Sequence, residues 1–234
     1  VGVVLLDPFA TEETAPPAES ATRYATVDFG DRSPHVAERL SAGDGDDVTV
    51  TDTYVGPGDG DDVRIVARVR LDGTLDDGAF VYGDDALRPG DDFDVDTDTD
   101  AFEGEVVAIG REREQLQTRT RSVAVESRLP SAALVERNDT ARLANRTVAT
   151  VTNATVEPAA DGGDRRALVT LSVRTVRYGG DTYFGAERLL AGQSLTLRTD
   201  RYVVDGTVAA VGDGAVLGDP VDRTVVLTLT DVDP

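Results

Sequence analysis

The chain has 234 residues, of which 23 are basic and 44 acidic, and its formal net charge is −21. It contains no Cys, Met or Trp and a single His, which excludes disulfides, thiolate catalysis, zinc fingers and iron–sulfur clusters. The charge argues against nucleic acid and anionic lipid surfaces as partners, because both require clustered basic residues. The length suits one large domain or two of about 100 residues each.

The acidity has a distinctive form. Lys is absent, so every basic residue is Arg, and Asp outnumbers Glu by 32 to 12. Such a surface repels itself in dilute buffer and is screened in concentrated salt. The composition therefore predicts a protein of a halophile that works in molar salt. An acidic mesophilic protein is the alternative.

The first twenty residues predict the end of a membrane anchor and a linker. Val1–Leu6 is apolar, but a bilayer span needs about 20 such residues. Residues 10–20 are rich in Pro, Glu and Thr, which is typical of extended, exposed linkers. We therefore expect a membrane helix to precede the chain, with the remainder facing outside the cell. A stray buried strand at Val1–Leu6 is the alternative.

An internal duplication organises the rest of the chain. Residues 83–110 align with residues 185–212 without a gap, and nine of the 28 positions are identical. Upstream and in the same order, TVTDTYV at 49–55 aligns with TVTNATV at 150–156. Self-similarity at a fixed period is the signature of a repeat architecture. The predicted divisions are 1–20 (anchor end and linker), 21–112 (repeat 1), 113–212 (repeat 2) and 213–234 (tail, with a strand at Arg223–Val232).

Strand patterns dominate both repeats. Val63–Arg70 and Leu168–Arg174 alternate with period two, as half-buried strands do. Short strands separated by turn glycines predict an all-β fold of two small barrel-like or sandwich-like repeats with minor short helices. The helix signal is Ser33–Leu40, with Ser at the N-cap and Pro in the first helical position. Its counterpart, Pro130–Arg137, is predicted to be helical as well.

No set of residues has the spacing of a catalytic site. His35, the only His, falls in the first turn of the predicted helix without a nucleophile motif nearby. We interpret it as a solvated surface residue. A phosphate-binding Lys motif is impossible without Lys, and GxGxxG does not occur. The sequence therefore predicts a protein that is not an enzyme and binds no cofactor.

Acidic runs raise the question of calcium. Four Asp alternate over residues 94–100, but an EF-hand loop needs Gly at its sixth position, where Thr99 stands. The acidic loops 43–47 and 58–62 could hold a weakly bound cation, and solvated turns are the interpretation that we favour. No metal site is predicted.

The three Asn residues of the chain all lie in N-x-[ST] glycosylation sequons. Asn138 and Asn145 fall in a predicted loop, where a glycan would be accessible, and Asn153 falls in a predicted strand. We predict glycosylation at these sites. Unmodified sequons in a cytoplasmic protein are the alternative.

Three segments carry a resemblance to a known family. TRYATVDFGDRSPHVAERLSAGD, RTVATVTNATVEP and TYFGAERLLAGQSLTLRTDRYVVDGTVAAVG resemble the haloarchaeal members of the family called domain of unknown function 4330. The resemblance covers nearly all of residues 22–212. It implies one N-terminal membrane helix followed by an extracytoplasmic, duplicated β-rich region. It supplies no catalytic residues.

Two functions follow from these observations. The first is a non-catalytic, membrane-tethered β-repeat protein that binds or spaces other cell-envelope components, including possible envelope protein partners. The second is a polysaccharide-binding or polysaccharide-processing domain that uses pairs of Asp and Glu. A cleft with a close carboxylate pair and aromatic rings would favour the second. The aromatic content of only 5% favours the first.

Overall fold

The computed structural model describes residues 19–40, 48–96, 101–130, 133–157 and 163–212. Strands dominate, and they form two antiparallel sheets that each curl into a half-barrel. The all-β, two-repeat fold predicted from the sequence is confirmed. The predictions for residues 1–18, 43–47, 97–100 and Arg223–Val232 lie outside the described residues.

The first sheet has seven strands. Its elements are β1 (Glu19–Arg32), α1 (Pro34–Leu40), β2 (Val48–Pro57), β3 (Val63–Asp76), β4 (Ala79–Tyr82), β5 (Asp85–Ala86), β6 (Asp92–Asp96) and β7 (Ala101–Gly110). The long strands β1 and β3 form the centre of the sheet. β7 pairs with the other side of β1, and β2 and β4 pair with successive parts of β3.

The second sheet has eight strands. Its elements are β8 (Gln117–Leu129), β9 (Thr140–Leu143), β10 (Arg146–Val156), β11 (Arg165–Tyr178), β12 (Asp181–Phe184), β13 (Glu187–Arg188), β14 (Ser194–Arg198) and β15 (Val203–Val211). β8 lies between β11 and β15, as β1 lies between β3 and β7. β10 corresponds to β2, and β9 is an addition on its outer edge.

Irregularities of the strands recur at matched positions of the two sheets. A β-bulge at Thr51 corresponds to one at Thr152, and a bulge at Val107 corresponds to one at Ala209. Both bulge threonines donate their hydroxyl to a carbonyl of the neighbouring strand, at 2.9 Å for Thr51 and 3.1 Å for Thr152. Because bulges are specific backbone features, their repetition supports a duplicated fold as well as a duplicated sequence.

Each half-barrel encloses its own apolar core. The core of repeat 1 is built around Val27, Phe29 and Leu71, and that of repeat 2 around Leu129, Leu171 and Val204, all of which are almost fully buried. The inward positions alternate along the strands, as predicted from the period-two pattern. A third, smaller apolar cluster lies between the two repeats.

The two predicted helices have different outcomes. α1 begins at Pro34, and its first turn is closed by a hydrogen bond from Val36 N–H to the Ser33 carbonyl, at 3.0 Å. The prediction of a helix at Pro130–Arg137 is wrong, because residues 133–137 are not helical. Asp139 explains the difference, since its carboxylate accepts the N–H of Glu136 at 2.9 Å and holds a turn instead.

Within the described residues, no helix is both long enough and apolar enough to cross a membrane.

Candidate functional site

Buried polar and apolar side chains meet at the junction of the two repeats. Tyr54 of β2 is fully buried, although it sits near the end of an outer strand of repeat 1. Its hydroxyl donates to the carbonyl of Arg174 at 3.1 Å and accepts the N–H of Gly185 at 2.9 Å. Both partners belong to repeat 2, so a side chain of one repeat fills a socket in the other.

Two glycines allow the backbones of the repeats to touch. A Cβ atom on Gly185 would stand 1.9 Å from the carbonyl oxygen of Pro57, and a Cβ on Gly56 would stand 2.6 Å from the Cα of Gly185. Gly185 also has a φ of +65°, which favours glycine. Ala186 N–H donates to the Pro57 carbonyl at 3.1 Å, so the contact continues as a backbone hydrogen bond between the repeats.

An apolar cluster surrounds the Tyr54 ring. Val66 comes from repeat 1, Val176 from repeat 2, and Leu116 from the connection between β7 and β8. The rings of Tyr178 and Tyr183 pack against this cluster and stack on each other, with centroids 4.5 Å apart and planes 8° from parallel. The junction thus excludes water from the Tyr54 hydroxyl, and this burial raises the pKa of Tyr54 to about 12.

Charged and polar groups form the rim of the junction. Asp28 accepts a hydrogen bond from the Tyr178 hydroxyl at 3.2 Å and forms a salt bridge with Arg64 at 2.8 Å. Burial, together with the neighbouring Asp28 carboxylate, raises the pKa of Tyr178. Arg146 donates to the Thr53 carbonyl at 3.3 Å on another side of the junction. These bonds join the repeats at several points around the apolar centre.

The outward-facing counterparts of the junction do not have its chemistry. β2 aligns with β10 at an offset of 101 residues, and β3, β4 and β5 align with β11, β12 and β13 at an offset of 102 residues. The matched bulges and turn glycines fix these offsets. The junction residues and their counterparts are Tyr54 and Thr155, Gly56 and Glu157, Val176 and Thr74, Tyr178 and Asp76, and Tyr183 and Val81. A head-to-tail contact of this kind can in principle propagate to further copies. Here the inserted side chain, Tyr54 (the plug), is present only in repeat 1, and the residues that surround it (the socket) are present only in repeat 2. The contact therefore joins these two repeats and does not continue.

A polar cluster in repeat 2 replaces the helix of repeat 1. The Tyr202 hydroxyl donates to Asp139 at 2.7 Å, and Arg201 pairs with both Asp139 and Glu136. Burial alone would raise the pKa of Asp139, but the hydrogen bonds from Tyr202, from the Glu136 N–H and from Arg201 together lower it below the ordinary value of 3.8. The cluster fixes the turn that carries Asn138.

The three sequon asparagines lie on the exposed rim of repeat 2. Asn138 is in the turn before β9, with a φ of +73°, and Asn145 is in the β9–β10 hairpin turn, with a φ of +63°. Asn153 is exposed on β10, directly after the Thr152 bulge. All three side chains are therefore accessible for modification.

The remaining predicted positions are dispersed. His35 is exposed on α1. The acidic loop 58–62 closes the β2–β3 hairpin, and the exposed Asp61 comes within 3.9 Å of Arg198 in repeat 2. This loop borders a pocket of about 280 Å³ whose apolar wall includes Leu143 and Leu197. In the part of the chain that is described, no group of three His, Asp or Glu side chains is arranged to hold a metal ion.

An open groove of about 550 Å³ runs along repeat 2. Glu126 and Asp205 contribute carboxylates to its lining, and Arg128 and Arg166 contribute guanidinium groups. None of the described aromatic rings lines the groove. It therefore has the carboxylates that a polysaccharide site would use but no described aromatic ring on which a sugar could stack.

Sequence reasoning missed the junction. Residues 49–55 align with residues 150–156, and Tyr54 is aligned with Thr155. This difference between the repeats was the signal in the sequence that could have identified Tyr54. Comparisons with family models, curated proteins and solved structures gave no match to this chain.

Proposed function

We propose that this chain is a non-catalytic, membrane-tethered, extracytoplasmic module of a halophile that binds or spaces other components of the cell envelope. The observation that carries the proposal is the buried Tyr54 junction. It couples two repeats into one unit, which is what a spacer requires. Membership of the family of domain of unknown function 4330 and the presence of an N-terminal membrane helix are part of the same proposal.

The sequons support the outward orientation. Asn138, Asn145 and Asn153 are exposed, and they gather on one rim of repeat 2 while repeat 1 has no Asn. Glycans on Asn138 and Asn153 would shield the outer edge of β10, and Asn145 lies beside Arg146, which bonds the Thr53 carbonyl at the junction. An unpaired strand edge is a site of unwanted association, so a shielded edge suits a protein in a crowded envelope.

The orientation can be tested by mass spectrometry of Arg-cleaved peptides from native membranes. We expect glycan on at least one of the three asparagines, because each is accessible. Well-detected, unmodified peptides for all three would contradict the outward orientation. Substitution of each Asn by Gln in turn provides the matched control for site assignment.

The role in the envelope can be tested by photo-crosslinking on native membranes. The chain has no Lys, so amine-reactive reagents are unsuitable, and a photo-reactive residue would replace Asp84 in repeat 1 or Asp200 in repeat 2. Both positions are exposed. We expect envelope proteins or glycans as neighbours at one or both positions. Recovery of no neighbour, or of cytoplasmic proteins alone, would contradict the proposed role. The control is the same residue at buried Val125, which should give none.

A further inference from the structure

The pocket of about 280 Å³ lies where repeat 1 meets repeat 2, and each repeat supplies a different part of it. Repeat 2 supplies an apolar wall, which includes Leu143, Val148 and Leu197. Repeat 1 supplies the β2–β3 loop, residues 58–62. Neither repeat alone contains both parts, so the pocket is a product of their junction. We call it the junction pocket.

The apolar wall of the junction pocket continues the core of repeat 2. Val148 and Leu197 are 1% and 2% exposed, and both belong to that core. Leu143 packs against the cores of both repeats. It lies on β9, which has no counterpart among the described strands of repeat 1. An apolar wall binds water poorly and favours an occupant with an apolar body.

The rim of the junction pocket is acidic. Asp59, Asp61 and Asp62 line it and are exposed. Arg198 is the basic residue of the lining, and its Nε atom lies 3.9 Å from the Asp61 carboxylate. An adjoining recess of about 120 Å³ shares Asp59 with the pocket and adds Glu187, and none of its lining residues is basic. The charges around the pocket therefore favour a cation.

Hydrogen bonds fix the backbone of the acidic loop. The Gly58 N–H donates to the Asp62 carbonyl at 3.1 Å, and the Asp62 N–H donates to the Asp59 carbonyl at 3.0 Å. The Asp59 N–H in turn donates to the Asp31 carboxylate of β1 at 3.4 Å. A site whose backbone is already fixed loses less conformational entropy when a ligand binds.

We propose that the junction pocket binds a small organic cation, with its apolar body against Leu143 and Leu197 and its cationic group at the aspartates of the loop 58–62. The volume suits this class of ligand, because one water molecule takes about 30 Å³ in the liquid and the pocket is several times larger. Small-molecule pockets occur preferentially at interfaces between domains, and most are apolar with a few polar groups. This binding site is independent of the proposed role in the cell envelope.

Concentrated salt leaves both parts of the interaction in place. In molar salt the Debye length is about 3 Å, so only carboxylates in direct contact with the cation attract it. Burial of apolar surface does not depend on charge. The apolar body of the ligand therefore supplies most of the affinity, and the aspartates supply the preference for a cation.

Three probes with the same six-carbon body separate these contributions: hexylammonium, 1-hexanol and hexanoate. Each is titrated into the full chain in molar NaCl, and the methyl NMR signals of Leu143, Val148 and Leu197 are followed. We expect saturable shifts with a Kd of about 1 mM for hexylammonium. Binding of 1-hexanol should be about fivefold weaker, as for the loss of an exposed ion pair, and that of hexanoate weaker still. Equal affinities, or no saturable shift with hexylammonium, would overturn the proposal.

Replacement of the rim carboxylates tests the preference for a cation. The rim variant combines Asp59→Asn, Asp61→Asn and Asp62→Asn. It should bind hexylammonium only as tightly as 1-hexanol, with the affinity for 1-hexanol unchanged. The control variant makes the same change of charge in exposed turns that follow β3, whereas the loop 58–62 precedes it, and combines Asp77→Asn, Asp84→Asn and Asp85→Asn. The control should retain the preference. A preference that survives in the rim variant, or that both variants lose equally, would contradict the assignment.

Filling the junction pocket tests its apolar part. Leu143→Trp enlarges a wall residue and should abolish the saturable shifts of Val148 and Leu197 with all three probes. Leu134→Trp is the control, because Leu134 is 69% exposed and does not line the pocket. Thermal melts without probe show whether both variants fold, and the rim variant, which changes exposed side chains only, decides the question if Leu143→Trp does not. A folded Leu143→Trp variant that binds the probes as the wild type does would overturn the proposal.

Discussion

Repeat 1 and repeat 2 share the arrangement of their long strands, two matched pairs of bulges and separate cores of the same kind, yet they differ at the surfaces that meet. Repeat 1 presents the Tyr54 plug, and repeat 2 presents the socket around Gly185. The counterparts of these residues, Thr155 and Gly83, are exposed, and no described atom lies within 4 Å of a Cβ added at Gly83. The duplication retained the internal packing of each sheet, while the junction depends on residues that differ at a few surface positions.

A second difference lies between the long strands of each repeat. Repeat 1 has the helix α1 there, whereas repeat 2 has a turn stabilised by Asp139 and the added strand β9. The added strand covers part of β10, and the sequons lie on the same rim. The two repeats therefore carry different surface features, because repeat 1 provides Tyr54 and repeat 2 provides the residues that bind it and the three sequons.

The largest expected effect comes from a methyl group at the junction. Gly185→Ala places Cβ 1.9 Å from the Pro57 carbonyl at a φ of +65°, and should lower the free energy of unfolding by about 3 kcal/mol or more. Gly83→Ala is the matched control, since its φ is +64° but nothing lies within 4 Å of the new Cβ. It should cost about 1–2 kcal/mol. Equal losses in urea denaturation would show that the contact at Gly185 does not constrain the fold.

Removal of one hydroxyl should have the next largest effect. Tyr54→Phe leaves the buried N–H of Gly185 without its acceptor and should cost about 1–3 kcal/mol. Tyr24→Phe is the control, because the Tyr24 hydroxyl makes no hydrogen bond to a described residue while its ring still contacts Arg68. Denaturant unfolding of both variants measures the difference. If Tyr54→Phe is as stable as Tyr24→Phe, the hydrogen bonds of the Tyr54 hydroxyl do not stabilise the junction.

The raised pKa of Tyr54 predicts an alkaline loss of stability. Its folded-state pKa is about 12 and its ordinary value is 10.0, so its contribution is fully present below pH 10 and is lost as the pH rises towards 12. Between pH 9 and pH 11, the free energy of unfolding should fall by about 1 kcal/mol more in the wild-type chain than in Tyr54→Phe. Parallel stability curves for the two proteins over this range would contradict the burial of the hydroxyl.

The smallest expected effect concerns the turn of repeat 2. The folded-state pKa of Asp139 is lowered, so its contribution is present above its ordinary value of 3.8 and is lost as the pH falls through the lower folded value. Thermal melts should show that Asp139→Asn is destabilised at neutral pH but loses less further stability in acid than the wild type does. Asp84→Asn, in an exposed turn of repeat 1, should leave the acid profile unchanged.

The sequence was sufficient for the features that depend on local patterns. Alternation over Val63–Arg70 and Leu168–Arg174 predicted central strands, since side chains of a strand point to opposite faces in turn. The structure extends both strands by several residues, because pairing with β1 and β8 continues past the alternating stretch. The aligned glycines similarly marked the turns of both repeats.

The features that the sequence did not predict depend on distant partners. Pro130–Arg137 resembles its helical counterpart, but Asp139 is held by Tyr202 and Arg201 from the other end of repeat 2, and it selects a turn. Tyr54 contacts residues more than one hundred positions away, and only a close backbone approach at Gly185 creates its socket. No pattern within a single repeat contains that information.

The rigidity of the junction can be measured most directly by pulsed electron paramagnetic resonance between spin labels on Asp84→Cys and Asp200→Cys, one in each repeat. The chain has no native Cys, so only these two positions react. We predict a single narrow distance distribution for the labelled chain in molar salt, and a broad one when Tyr54→Thr installs the residue that repeat 2 has at the matching place. A broad distribution with Tyr54 present, or a narrow one that Tyr54→Thr leaves unchanged, would contradict the coupling of the two repeats through this side chain.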